Sequence, residues 1–400
     1  MKKPYRFLIP LLMIGMLVFV AMPSGAAVSV QCPGDTDGDA AWNSPGEIQP
    51  ADTKCLHLTG GDGFITMADG RPMYMFGFAD VTGIPENQVL QKGLLAQTFA
   101  APPIVLDEGD HFYLTLSNVG MVMRPDLFDP HTVHYHGFPE SSNIFDGLPE
   151  SGIAINMGSS LTYYYLNNEP GTYMYHCHVE ATEHMQMGML GSLYVRPAQN
   201  GKSIGGFTQF AYNDGDGSTG YDVEVAIQLG SFDSAFHDSS EGVQPLPFAL
   251  MRDDYPMLNG RGYPDTVGPA PAAPPDAKPI APATTTQPLS ALVEANGGDR
   301  ILLRLSNLAV TRFYTLTSLG IPMQVVGKDA RLLRGPGANG KDLYYTTNSV
   351  TMGGGESYDV ILDTTGVAAG TYFLYAADLN YLANGDEDFG GMMTEIRIAP

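Results

Sequence analysis

Glu108-Gly109-Asp110-His111-Phe112-Tyr113-Leu114-Thr115-Leu116-Ser117-Asn118 is echoed by Gly297-Gly298-Asp299-Arg300-Ile301-Leu302-Leu303-Arg304-Leu305-Ser306-Asn307. Each segment is a Gly-Asp turn followed by a strand that ends at Ser-Asn in the same register. Further landmarks recur in the same order. Met157-Gly158 and then Gly171-Thr172-Tyr173 stand in the first half, Met352-Gly353 and then Gly370-Thr371-Tyr372 in the second. Gly188-Met189 and Gly391-Met392 each precede a last strand, at residues 193–195 and 396–398. Shared order and spacing read as a duplication. Short strands of alternating polarity between turn residues predict an all-β chain with one Greek-key β-sandwich in each half.

Working outward, residues 99–197 are expected to form the first sandwich and 205–400 the second, joined by the polar stretch 197–206. Residues 27–98 are expected to supply an N-terminal extension and the first strands of the first sandwich. The Pro- and Ala-rich stretch 267–287 reads as a stiff surface excursion. Asp35-Thr36-Asp37-Gly38-Asp39 resembles a calcium loop. It lacks a Gly at the sixth position and an acid at the twelfth, so it reads as a plain turn.

The 400 residues are 44% apolar, enough for packed cores, which excludes wholesale disorder. Only 16% are charged, with a net charge of −23, which argues against nucleic acid and anionic membrane surfaces as partners. Lys2, Lys3 and Arg6 precede an apolar run over residues 7–22 and the small residues Ser24-Gly25-Ala26-Ala27. This is the layout of a signal peptide spanning residues 1–26, and it predicts a periplasmic or secreted protein with no membrane span after cleavage. In that oxidising setting Cys32 and Cys55 are expected to form a disulfide, which leaves Cys177 alone.

Six of the nine histidines fall in two clusters, His131/His134/His136 and His176/His178/His184, with His57, His111 and His237 outside them. Cys177 lies between His176 and His178, and Met189 follows. On a strand, His134 and His136 share a face, as do His176 and His178, while Cys177 points to the opposite face and can meet His131, His184 and Met189. Two imidazoles, a thiolate and a distant thioether make a type 1 blue-copper site for electron transfer. Met187 is a weaker axial candidate than Met189. A second metal site at the other imidazoles would be wired to the first through Cys177–His176 and Cys177–His178. His57, His111 and His237 read as structural.

His131-x-x-His134-x-His136-Gly137 with His176-Cys177-His178, His184 and Met189 resembles the copper motifs of the multicopper oxidases. The likeness extends to Phe145-Asp146-Gly147-Leu148-Pro149, Gly171-Thr172-Tyr173 and Asn259-Gly260-Arg261-Gly262-Tyr263-Pro264-Asp265. The resemblance implies two cupredoxin-like domains, copper as cofactor, and oxidoreductase activity in which dioxygen is reduced. It implies His131, Cys177, His184 and Met189 at the type 1 copper, His134 at a type 2 copper, and His136, His176 and His178 at a type 3 pair. His184 would stand at the exposed edge of the type 1 copper, where the electron donor arrives. That donor is a small molecule, a metal ion or a protein. Glu180, Glu183 and Asp146 are candidate proton relays, and the two glutamates also candidates to attract a metal substrate.

The family's trinuclear cluster takes four histidines from each of two domains, whereas Tyr375-Ala376-Ala377 stand where His176-Cys177-His178 do. Around Arg312-Phe313-Tyr314-Thr315, where the other motif is expected, there is no His. The second domain is therefore expected to be copper-free, and the cluster to be completed by a homo-oligomer or a second copper-protein subunit. The alternatives are a blue-copper carrier or copper-binding protein without a full cluster, and a nitrite-reductase-like enzyme.

Overall fold

Alternating apolar side chains build eight strands in the first half: β1 (Thr53–Thr66), β2 (Pro72–Asp80), β3 (Ala101–Asp107), β4 (His111–Gly120), β5 (His134–His136), β6 (Ser160–Leu166), β7 (Gly171–His176) and β8 (Leu190–Arg196). The computed structural model describes residues 28–336 and 340–400, so the predicted signal peptide lies outside the described residues. One sheet has the order β2-β1-β4-β6 and the other β3-β8-β7-β5. β1 runs parallel to β4 and β3 parallel to β8, so the chain crosses between the sheets. Phe76, Phe112, Tyr135, Tyr163, Tyr165 and Tyr175 fill the space between them.

The second half repeats this topology. Val223–Phe232 is parallel to Arg300–Asn307, and Val293–Asn296 is parallel to Met393–Ala399. Asn118 Nδ2 donates to Ile155 O, and Asn307 Nδ2 to Met352 O. Gly158 N donates to Asn118 O, and Gly355 N to Asn307 O. Gly158 is therefore the counterpart of Gly355, two residues on from the match with Gly353 that residue type alone suggests.

Strand registers fix the remaining counterparts. His134 pairs with His176 in the first half, and Thr317 with Tyr375 in the second. His136 pairs with Met174, and Leu319 with Phe373. The second histidine motif thus maps to Tyr314–Leu319, slightly beyond the Arg312–Thr315 stretch expected from the sequence. Its positions hold Tyr314 for His131, Thr317 for His134 and Leu319 for His136. Cys177 N donates to Met189 O as Ala376 N does to Met392 O, so Ala376 and Met392 stand for Cys177 and Met189. The Tyr381 ring meets Tyr314 edge-on at 4.8 Å, and this stack over Ala376 plugs the place where the first sandwich gathers its sulfur and imidazoles.

Between the sandwiches, Arg304 is fully buried and binds Glu224 at 2.7 Å and Asp359 at 3.2 Å. Thr172 of β7 donates to Asp359 at 2.5 Å, which ties the strand leading to His176 into this network. Cys32 and Cys55 are joined in a disulfide that straps the N-terminal extension to β1. The stretch 267–287 is not a free excursion. Thr66 Oγ1 donates to Ala272 O, Lys278 N to Leu95 O, and Thr286 Oγ1 to Phe64 O, so it lies across the first sandwich. No described helix is long and apolar enough to cross a membrane.

Removing one partner of a buried ion pair leaves the other charge unpaired in a medium that solvates it poorly. Arg304→Met is expected to lower stability by about 3–5 kcal/mol, read as an earlier midpoint in urea unfolding. Adding Glu224→Gln and Asp359→Asn should recover much of the loss.

Candidate metal centre

β7 ends at His176, and the chain continues as Cys177-His178 into a short helix, Ala181–Gln186, that carries His184. The Cys177 side chain turns into the sandwich and is fully buried. His184 Nδ1 lies 3.1 Å from Cys177 Sγ, and ligand atoms of His131, Cys177 and His184 all lie within 4.8 Å of one another. Both ring nitrogens of the buried His131 are without a hydrogen-bond partner, an arrangement that costs stability unless something else takes up a lone pair. A Cβ built on Gly60 would meet the His131 ring at 3.0 Å and Met189 Cε at 3.3 Å. The thioether of Met189 therefore reaches the His131 side of the cluster, and β1 comes this close only because residue 60 has no side chain.

Burial alone would push the Cys177 thiol up, but His184 and His131 beside it bring it down to about 5. Burial opposes a charge on His184 as well, yet the thiolate and the Asp129 carboxylate hold its pKa well above the ordinary range. The cluster is thus a thiolate–imidazolium pair in which a soft metal cation can take the place of the proton. Two imidazoles, a thiolate and a thioether suit copper, so the residues present fit that ion.

His184 is not at an exposed edge as expected. Its side chain is 1% accessible, and Nε2 faces Asp129 Oδ1 at 3.1 Å. Asp129 caps the imidazole, and residue spacing gives no sign of it, because the contact joins a loop before β5 to a helix after β7. Outside Asp129 lies a cavity of about 150 Å³ lined by Arg124, Phe128, Glu180 and Glu183. Burial raises the Glu183 carboxyl to about 6.

On the opposite side of the β5–β7 pair, one ligand atom from each of His134, His136 and His176 lies within 4.8 Å of the others. His134 Nδ1 donates to Asp146 O at 2.6 Å, and His176 Nδ1 to Cys177 O at 2.8 Å. A carbonyl only accepts, so both rings carry the proton on Nδ1 and turn the Nε2 lone pair inward. Asp146 acts here through its backbone, with its carboxylate 3.4 Å from the His134 ring. Burial lowers the pKa of His134 and His136 and takes His176 to about 3, which keeps these rings neutral. The His178 ring stands 5.1 Å from that of His134 and 5.6 Å from that of His176.

The three bystanders have distinct surroundings. His57 is buried with Nε2 at 2.8 Å from Ser117 Oγ, and His111 is exposed against the Tyr164 hydroxyl at 2.7 Å. His237, on the helix Ser234–Glu241 that follows the second-sandwich strand Val223–Phe232, is buried with Nδ1 2.6 Å from Tyr74 O and Nε2 3.0 Å from Gln186 O. Because Gln186 lies between His184 and Met189, this ring clamps the loop that carries both. Phe76 N, donating to Met187 O, holds the loop from the other side. The Asp35/Asp37/Asp39 turn gathers three carboxylates, but Asp35 accepts from the backbone N–H of Asp37, Gly38 and Ala40, as a plain turn does.

Each buried carbonyl left without a donor costs about 1–3 kcal/mol. His237→Phe is expected to lower stability by about that amount and to speed amide hydrogen exchange over residues 184–189. Unchanged exchange there would show that the clamp does not hold the loop.

A family model described as multicopper oxidase matches residues 83–200, which contain every residue of both clusters. Laccase-2 of Cryptococcus neoformans is 23% identical over 304 residues, covering 73% of this chain and 44% of that protein. The chain spans less than half the length of the first curated relatives it matches. The blue copper oxidase of Nitrosomonas europaea superposes with a TM-score of 0.61 at 24% identity, covering 86% of each chain. The copper nitrite reductase of the same organism superposes at 0.56 and 14% identity, covering 87% of this chain and 94% of that one. At these identities the superpositions establish the fold, two cupredoxin-type sandwiches, and both chemistries occur on it. The likeness to the multicopper oxidases is thus carried by residues 83–200 of the first sandwich, which match that family's model.

Proposed function

We propose that the protein is an exported copper-dependent oxidoreductase that takes electrons from a donor at a type 1 copper and delivers them to a histidine-bound copper site where dioxygen is reduced. The observation that carries this reading is the back-to-back placement of the two clusters, with Cys177 in one and its sequence neighbour His176 in the other. His131, Cys177, His184 and Met189 would hold the first copper, and His134, His136, His176 and His178 the second site. Bound copper supplies one-electron redox chemistry. The protein supplies the covalent path from Cys177 Sγ through one backbone step to the His176 ring, and it excludes water from the thiolate.

Donor access supports a small cation as the reductant. His184 is sealed behind Asp129, so a donor reaches it through that carboxylate rather than by touching the imidazole. The cavity outside is small and carries Glu180 and Glu183, while Arg124 is already paired with Asp126. A metal ion in its reduced state fits the charge of this lining.

The second half has one histidine, His237, and its ring nitrogens face the carbonyls of Tyr74 and Gln186 rather than the cluster. This favours completion of the cluster by another subunit, and it also keeps open a second reading, a blue-copper carrier that exchanges electrons without reducing dioxygen. Nitrite reduction is less favoured, because the nitrite-reductase arrangement also draws a histidine from the second domain.

Cys177→Ser is expected to abolish the intense blue absorption and all donor-driven dioxygen uptake. Glu180→Gln with Glu183→Gln is expected to raise KM for ferrous or cuprous ion about tenfold, with kcat for a bulky one-electron donor unchanged. Electron exchange with no dioxygen uptake in any assembly of the protein would leave the carrier reading. Equal KM values in the wild type and the double variant would overturn the cation assignment.

A further inference from the structure

We propose that a single chain closes a mononuclear copper site with three of its four clustered imidazoles, His134, His136 and His176, and leaves His178 as a spare ligand for a second metal. The inference rests on the reading of this cluster as a copper site, and it concerns how many ions one chain can hold.

The argument begins with ring orientation. The Nδ1–H groups of His134 and His176 are committed to the carbonyls of Asp146 and Cys177, so their Nε2 atoms face the common centre. His136 enters the other way round. Its Nε2 is backed by Gly355 of the second sandwich, where a built Cβ would come within 2.7 Å, so Nδ1 is the atom turned inward. His136 Nδ1 and His176 Nε2 stand 3.3 Å apart. That is long for a hydrogen bond between nitrogens. It matches the separation of two imidazole nitrogens about 2.0–2.1 Å from one metal ion at a near-tetrahedral angle.

His178 is held differently. Its backbone N–H donates to Thr132 Oγ1 at 3.0 Å, which fixes the main chain. Among the described residues, no hydrogen bond sets its ring tautomer or orientation. No atom of it joins the set within 4.8 Å, and its ring stacks beside His176 instead. Three oriented nitrogens with an open fourth position suit one imidazole-bound copper ion. The second sandwich brings Gly355 against the His136 ring, and the Asp329 carboxylate is near enough to act on that ring electrostatically. That sandwich's counterparts of the cluster, Thr317, Leu319, Tyr375 and Ala377, bring no metal-binding nitrogen to any cluster. A second ion at His178 therefore needs ligands from outside the chain.

The test is copper analysis on the full chain, purified without a second protein and loaded with cupric ion, with optical and paramagnetic resonance spectra. Two coppers per chain are expected, one blue and thiolate-bound, the other colourless with nitrogen hyperfine structure. His136→Ala should remove the colourless copper, lowering the count from two to one with the blue band intact. His178→Ala should keep both. The proposal is overturned if His178→Ala loses the colourless copper as His136→Ala does, if the wild type binds only the blue copper, or if it binds more than two per chain. In Cys177→Ser the colourless copper should survive alone. A wild type that shows it without any blue copper would sink the type 1 assignment and leave this proposal standing.

Discussion

The two-residue period of an extended chain is the constraint on which the centre depends. Three consecutive residues, His176, Cys177 and His178, send side chains alternately to the outer and inner faces of one sheet. The inner face is dry and lined with tyrosines, and there a thiolate survives only because His184 and His131 stand against it. The outer face is wetter and holds neutral imidazoles whose tautomers are set by backbone carbonyls. One backbone step thus separates two environments of opposite polarity. No arrangement on a helix would do this, because adjacent helical residues diverge by about 100° rather than 180°.

The duplication supplies the frame and shows what a copper domain needs. Asn118 and Asn307 make the same pair of turn-closing bonds, so the scaffold is retained in both halves. What differs is a handful of inward positions. Tyr314 and Tyr381 close over Ala376 where His131 and His184 close over Cys177. The replacement fills the place with two aromatic rings, which keeps the core packed without an ion.

Much of this was legible in the chain. The repeat, the two histidine clusters and the isolated cysteine all follow from short-range spacing, because strand period and turn residues are local signals. The echo of Met157-Gly158 was misplaced by two residues, since matching Gly to Gly ignores which amide closes on Asn118. Asp129, Gly355 and His237 were invisible for another reason. Each acts through a contact between segments far apart in sequence, and none differs in kind from an ordinary loop acid, turn glycine or lone histidine. The expected exposure of His184 failed on the same ground, because its cover comes from another loop.

The plugged core of the second sandwich has a bearing on biogenesis. Its packing contains no thiolate or unpartnered imidazole waiting for an ion, so that half can reach its final form in a compartment where copper is scarce. Assembly and metallation are thereby separable in time. The chain can fold and be strapped by its disulfide first, with only the first sandwich still open to the supply of metal.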